Sequence, residues 1–250
     1  MSFSGKVVLI TGASAGIGAV TAISFAREGA DVAIVGRNED KLKQVVQECK
    51  RVGRTPLPIK ADVANDDDAK RIVNETIKKF GKLDVLVNNA GIGAYGSILS
   101  GEILKAYDDI MGINVRAVIH LTSLAAPHLV KTKGNIVNIS SAAGFRVSTS
   151  PPQIAYCVSK AAVNHFTAGA ALELASSGVR VNAVNPGPTR TDFLQTADAP
   201  ITWDDFKGRT ALGRVSEPEE VADLILYVAS DKARGITGTT LLVDNGRVLM

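Results

Sequence analysis

Cysteine is scarce in this chain of 250 residues, and Cys49 and Cys157 stand far apart with no CxxC pair. That count and spacing exclude a disulfide framework and a thiolate metal site. Histidine is little commoner. His120, His128 and His165 each fall alone in an apolar, helical-looking stretch, so no metal is expected. Aromatic residues come to 7 Phe, 4 Tyr and 1 Trp, too thin a supply for a platform on which bases stack. Nor does one sign of charge accumulate: 28 Lys+Arg against 25 Asp+Glu leave +3, without the basic surplus of a nucleic-acid or membrane-surface binder. No run approaches ~18 consecutive apolar residues. The opening MSFSGKVVLITG leads straight into a strand rather than a signal-peptide core. The expectation is a cytoplasmic chain with no membrane span and no nucleic-acid partner.

What is present is ordinary globular material, 46% apolar and 21% charged. Short aliphatic runs read as buried strands at Lys6–Ile10, Asp31–Val35, Thr55–Lys60, Val85–Val87, Asn135–Ile139, Val179–Val184 and Thr240–Val243. Between them, apolar residues spaced i, i+3, i+4 predict helices at Ile17–Glu28, Glu39–Val52, Asp66–Phe80, Ile103–Met111, Val115–Val130, Ala155–Ser176 and Pro218–Ser230. Such alternation predicts a Rossmann-type, doubly wound parallel sheet of about seven strands with helices on both faces. Gly29 and Gly81 suit left-handed helix ends, and Pro218 with its acidic neighbours suits a helix start. No repeat or linker divides the chain, so a single domain over 1–250 is expected. The irregular stretch Thr189–Gly213 reads as a substrate flap.

The first predicted strand ends in Thr11-Gly12-Ala13-Ser14-Ala15-Gly16-Ile17-Gly18 and a helix follows. Glycines there permit a tight turn and let a pyrophosphate approach the free N–H groups of a helix N-terminus. The spacing is GxxxGxG rather than the standard GxGxxG.

Here the chain resembles the short-chain dehydrogenase/reductase family. Thr11–Gly18 is similar to its TGxxxGIG loop, Asn88-Asn89-Ala90-Gly91 to its NNAG segment, and Tyr156-x-x-x-Lys160 to its YxxxK pair. Asn114, Ser141 and Asn185-Pro186-Gly187 fall in the matching order across residues 5–246. The resemblance implies catalytic roles for Asn114, Ser141, Tyr156 and Lys160. It further implies cofactor contacts from Gly12, Ser14, Ala15, Gly16, Ile17, Gly18, Asn89, Ala90 and Gly91. Tyr156, Lys160, Pro186, Gly187, Thr189, Thr191 and the adenine-side pair Asp62 and Val63 complete that set.

Hydride transfer to a carbonyl needs an acid for the developing alkoxide and donors that hold its oxygen. Tyr156 is the expected acid; its phenol ordinarily titrates near 10. Lys160, four residues on, shares its helix face, and its ammonium is expected to lower that pKa. Ser141 would hold the substrate oxygen, with Ser140 as the alternative, and the resemblance gives Asn114 a water linking Lys160 to solvent. Ser141 and Tyr156 are fifteen positions apart, where the family commonly shows about thirteen; Pro151-Pro152 suits a surface loop that absorbs the excess.

The end of the second strand reads Gly36-Arg37-Asn38, where an acidic residue suits a ribose hydroxyl and an arginine a 2′-phosphate. Arg37 and Asn38 therefore point to NADP(H). For substrate, Gly93, Ala94, Tyr95, Ile154, Leu194, Trp203 and Phe206 form a mostly apolar set, with no Arg or Lys evidently placed to clamp a small acid. The expected activity is NADP(H)-dependent interconversion of a ketone or aldehyde and an alcohol. The expected substrate is lipophilic: a steroid, retinoid, fatty-acyl-like or xenobiotic carbonyl. The resemblance implies a homo-oligomer, dimer or tetramer. The rival readings are a non-catalytic NADP(H)-binding sensor or scaffold and, against the short length, a sugar epimerase or dehydratase.

Overall fold

Strand β1 (Val7–Ile10) is four aliphatic residues, all buried. Side chains alternate across a strand, so Val8 and Ile10 enter one core while Val7 and Leu9 enter another. Only a sheet covered on both faces accommodates that pattern. In the computed structural model, which describes residues 2–147, 153–197 and 202–250, the sheet has seven parallel strands. The others are β2 (Asp31–Gly36), β3 (Leu57–Lys60), β4 (Val85–Asn88), β5 (Asn135–Ile139), β6 (Arg180–Pro186) and β7 (Thr240–Val243). Their order is β3-β2-β1-β4-β5-β6-β7, the doubly wound arrangement expected from sequence. Pro58, which has no N–H to donate, sits on the edge strand β3, where a ladder tolerates it.

Helices α1 (Gly16–Arg27), α2 (Glu39–Val52) and α8 (Pro218–Ala229) share the first core with Val8 and Ile10. Helices α3 (Asp66–Phe80), α5 (Ala117–Thr132) and α6 (Ile154–Leu174) share the second. Each fully buried Leu, Ile or Phe contributes roughly 1.5–3 kcal/mol. Asn38 caps α2 by accepting from Lys41 N (2.9 Å), and Asn65 caps α3 by accepting from Asp67 N and Asp68 N (3.0 Å each). Gly29 and Gly81 take φ of +89° and +78°, the left-handed conformation expected of them.

One correction concerns α4 (Ile103–Met111). The sequence pattern separates it from the next helix, yet Gly112 is itself helical and a π-helical turn over Gly112–Arg116 joins α4 to α5. The extra residue in that turn breaks the 3.6-residue period, which is why the pattern reads as two helices. The continuous helix Ile103–Thr132 is long and apolar enough to cross a membrane by length and composition alone. It instead lays Leu121, Ala125 and Leu129 into the core against the sheet.

Polar residues also lie inside. Asn88 and Asn138 are register partners on β4 and β5, and Asn88 Nδ2 donates to Asn138 Oδ1 (2.9 Å) and to Thr122 Oγ1 (3.2 Å). Asn138 Nδ2 then donates to Thr167 Oγ1 on α6 (3.0 Å). Thr167 is two turns beyond Lys160, so this amide ladder sets the rotation of α6 on the sheet and with it the direction of Lys160.

Candidate active site

The strand order reverses between β1 and β4, and in such sheets the crevice lies beyond the carboxyl ends of the strands. Gly12 and Gly16 there take φ of +64° and +54°. A Cβ on Gly12 would lie 2.8 Å from Ala90 Cα, and one on Gly18 would overlap Asn89 Nδ2 and the Gly12 carbonyl. Thr11 Oγ1 accepts from Asn89 N (3.0 Å) and Ala90 N (3.1 Å), while Asn89 Nδ2 donates to Thr11 O (2.9 Å) and Gly12 O (3.1 Å). The Thr11 hydroxyl and the Asn89 side-chain amide thus stitch the glycine loop and the NNAG segment together, each to the other's backbone. Helix α1 starts at this point with no side-chain cap and no acidic residue in its first turn, unlike α2 and α3. Its N–H groups are left for an anion, and the glycines leave room for it. These residues fit a dinucleotide pyrophosphate.

Tyr156 and Lys160 are in the first two turns of α6. Lys160 Nζ donates to Ile139 O (2.9 Å), and Ser140 Oγ donates to Lys160 O (2.9 Å), a reciprocal clamp between α6 and the end of β5. Ser140 is therefore buried and engaged. Ser141 lies in the cleft, where its hydroxyl accepts from Ala143 N (3.1 Å), donates to Pro186 O (3.4 Å) and faces the Tyr156 phenol, whose ionised form it favours. Burial pushes the Tyr156 phenol up to about 12, against which the Ser141 bond works in part. Burial also brings the Lys160 ammonium down to about 8. The expected lowering of the phenol by Lys160 is not what this arrangement gives. Nζ is held on Ile139 O, 5.6 Å from the tyrosine ring centroid, and desolvation of the phenolate prevails. Asn114 does not line the cleft. From the π-helical turn it accepts from Ile92 N (2.9 Å) and donates to Ile92 O (2.9 Å) and Ser159 Oγ (3.2 Å), pinning the segment after β4 to α6.

A cleft of ≈ 420 Å³ joins these groups. Gly12, Ser14, Ala15, Gly16, Ile17, Arg37, Asp62, Val63, Asn89, Ala90, Gly91, Pro186, Gly187, Thr189, Thr191, Leu194, Trp203 and Phe206 all line it. Arg37 is two-thirds exposed, with its guanidinium 3.9 Å from the Asp62 carboxylate. Gly18 and Asn38 stand behind the lining, Gly18 as the packing contact described above and Asn38 as the α2 cap. Gly93, Ala94 and Ile154 do not line it either. A Cβ on Gly93 would meet Phe193 Cζ at 3.0 Å, Ala94 packs in a small cluster with Tyr156, and Ile154 is exposed. Tyr95 accepts a hydrogen bond from Gln153 Nε2 (3.1 Å). Pro151-Pro152 and residues 198–201 of the expected flap lie outside the described residues.

Sequence reading missed Phe193, Gln153, Arg146 and Arg247, all of which line the cleft. The two arginines correct the expectation that no basic residue is placed to hold an acid. Arg146 follows Ser141 by five positions, and Arg247 lies in the C-terminal turn. Gly187 brings that turn in, because it packs so tightly that a Cβ would stand 2.7 Å from Asp244 Cα. Among the described residues, no group of His, Cys, Asp and Glu is arranged to hold a metal.

This sheet order, this glycine loop and a tyrosine–lysine pair on one helix together define an α/β dinucleotide-dependent oxidoreductase. The chain belongs to the short-chain dehydrogenase/reductase family, NAD(P)(H)-dependent oxidoreductases acting on CH–OH and C=O groups. The family profile described as "Enoyl-(Acyl carrier protein) reductase" matches residues 12–247. The chain is 36% identical over 250 residues to the 3-oxoacyl-(acyl-carrier-protein) reductase FabG of Thermotoga maritima, covering 100% of both. It is 37% identical over 246 residues to the meso-2,3-butanediol dehydrogenase of Serratia marcescens, covering 98% of this chain and 96% of that one. Among solved structures, a short-chain type dehydrogenase/reductase from Mycobacterium marinum superimposes with a TM-score of 0.94 at 35% identity, covering 100% and 98%. A 3-ketoacyl-(acyl-carrier-protein) reductase from Brucella melitensis complexed with NADH gives 0.90 at 34%, covering 99% and 100%. A short chain dehydrogenase from Burkholderia cenocepacia in complex with NADP gives 0.90 at 37%, covering 99% of each.

Proposed function

We propose that this chain is an NADP(H)-dependent oxidoreductase that interconverts a ketone or aldehyde with its alcohol. Its substrate is lipophilic, of the steroid, retinoid, fatty-acyl-like or xenobiotic carbonyl kind. The observation that carries the reading is the meeting of Ser141, Tyr156 and Lys160 in the cleft that the glycine loop opens into. The reduced nicotinamide, when bound, supplies the hydride. Tyr156, whose phenol stays protonated at neutral pH, gives its proton to the carbonyl oxygen as negative charge develops there. Ser141 donates a hydrogen bond to the same oxygen. Lys160, fixed on Ile139 O, keeps a positive charge under the tyrosine ring. Asn114 acts as a positioning residue through Ile92 and Ser159.

NADP(H) is preferred over NAD(H) because an exposed guanidinium, Arg37, stands where an acidic residue would favour the ribose hydroxyl. Relatives of this fold have been solved with either dinucleotide, so family membership alone does not set the choice. The lipophilic substrate is supported by Leu194, Phe193, Trp203 and Phe206 in the lining, and residues 189–213, which carry them, serve as a substrate flap. The enzyme is a cytoplasmic homo-oligomer, dimer or tetramer. Two buried free thiols, Cys49 and Cys157, suit a reducing compartment. Leu104, Tyr107, Ile119 and Leu172, on α4, α5 and α6, are exposed apolar side chains of the kind that subunit contact covers.

Tyr156→Phe tests the reading. It removes one hydroxyl, so NADPH affinity should persist while kcat on the best carbonyl falls by ~10²–10⁴. Full activity in this variant would remove Tyr156 from its role. NADPH binding without turnover of any carbonyl or alcohol in a broad panel would favour the sensor reading.

A further inference from the structure

Beyond Tyr156 the cleft is bounded by two segments far apart in sequence, the turn after β5 and the C-terminal turn, and each contributes an arginine. The Arg146 carbonyl lies against Cys157 Sγ (3.9 Å), one residue from the acid. Its guanidinium donates to Arg247 O (3.1 Å), and the Arg247 guanidinium donates in turn to Arg209 O (3.1 Å). The Arg209 guanidinium stacks 5.8 Å over the Phe206 ring. Three half-buried cations are thus chained through backbone carbonyls. A guanidinium has five N–H donors, and among the described residues protein acceptors occupy a single nitrogen on Arg146 and a single nitrogen on Arg247. The remaining donors are held in place and unspent.

Among the described residues, no carboxylate bonds the Arg146 or the Arg247 guanidinium. Asp244 is the acid that acts on Arg247, and its two oxygens already accept from Gly246 N and Val248 N (2.9 Å each). Burial, with Arg146 and Arg209 as neighbours, already presses the Arg247 guanidinium below its ordinary value. Neither Arg146 nor Arg247 belongs to the glycine loop or to β2, the elements suited to the dinucleotide phosphates.

We infer that the substrate carries an oxyanion, a carboxylate or a phosphate, that sits between Arg146 and Arg247 while its carbonyl faces Tyr156. The inference rests on the oxidoreductase reading above and narrows it: the ligand is an amphiphile, apolar in the middle and anionic at the end away from the reaction. Guanidinium and oxyanion meet in a planar, charge-assisted geometry that a neutral ester cannot reproduce.

The test pairs turnover with binding. Medium-chain oxo acids, their methyl esters and the matching oxoalkyl phosphates are assayed with NADPH. Their binding is followed separately by quenching of Trp203, the single tryptophan of the chain, which lines the same cleft. At low salt the anionic compounds should exceed the esters at least tenfold in kcat/KM and in affinity. The R146Q and R247Q variants should each bring that ratio toward one, and R146K and R247K should restore part of it, which loss of fold would not do. The larger of the two anion preferences identifies carboxylate or phosphate. A wild-type ratio near one, or a ratio that both glutamine variants preserve, overturns the inference. Anion-selective quenching without turnover of any compound would overturn the oxidoreductase reading and leave the anion site standing. Ester turnover without charge discrimination would do the reverse.

Discussion

The two halves of the cleft are built on different terms. The dinucleotide half is made of closely packed main chain fastened by two short side chains: Gly12 lies against Ala90, Gly18 against Gly12 O and the Asn89 amide, and the Thr11 hydroxyl accepts from two successive backbone amides, all within short segments at the ends of adjacent strands. The substrate half is made of side chains drawn from remote segments, with Phe193, Trp203, Arg146 and Arg247 meeting only because the chain folds. A ligand common to the family is served by close main-chain contacts that leave no room for a side chain at Gly12 or Gly18. A ligand that differs from relative to relative is served by side chains that can change one at a time.

The sharpest challenge to that contrast falls on Lys160, to which the family resemblance assigns a part in both halves. Lys160→Met should lower kcat by ~10²–10⁴ and weaken NADPH binding. Its effect on the ligand-free protein should run the other way. The folded chain lowers this ammonium from 10.5 to about 8, so between those values the unfolded chain binds the extra proton and stability rises with pH. Holding the charge below that window costs up to about 3 kcal/mol, offset in part by the bond to Ile139 O. Lys160→Met should therefore melt above the wild type at pH 7, with the gap closing toward pH 10. Thermal unfolding across that range decides it, and a constant gap would show that the lysine is not strained.

Next in size is Gly18→Ala. The new methyl meets the Gly12 carbonyl and the Asn89 amide, so about 1–3 kcal/mol of stability and at least tenfold in NADPH affinity should go together. Normal NADPH binding by this variant would mean that the loop is not the rigid cradle described. Arg37→Asp comes third. One charge-assisted contact gives roughly 1.5–3 kcal/mol, so about a tenfold loss in kcat/KM for NADPH is expected, with little change in Tm, because Arg37 is mostly exposed. Assays with NADPH and NADH side by side measure it. The mildest change is Gly93→Ala. Its neighbour is the Phe193 ring, a side chain able to turn aside, so substrate KM should move severalfold while NADPH affinity stays. An effect on NADPH equal to that of Gly18→Ala would erase the contrast between the halves.

The same contrast explains what the sequence discloses. Glu39–Val52, Asp66–Phe80 and Asn135–Ile139 have the bounds that periodicity and caps predict, because those signals are local. Tyr156, Lys160 and the glycine loop are legible for the same reason: each motif lies within a few residues. Arg146 and Arg247 are one hundred and one positions apart, and no spacing rule joins them. Asn114 was found by resemblance, but its depth inside a helix was not, since a π-helical turn leaves no signature in a 3.6-residue pattern. Choosing between Ser140 and Ser141 likewise needed to show which hydroxyl is spent on Lys160 O.

The amide ladder from Asn88 through Asn138 to Thr167 bears on how the chain avoids folding wrongly. Strands β4 and β5 are otherwise interchangeable aliphatic runs that would pair almost as well one residue out of step. A slip of one residue would send one asparagine to the opposite face of the sheet and leave both amides buried among aliphatic side chains. Each stranded group would cost about 1–3 kcal/mol, a large share of the margin by which a folded protein is stable. The ladder therefore favours the correct pairing over the slipped one, and because it ends on Thr167 it ties the placement of α6, with its tyrosine and lysine, to that same pairing.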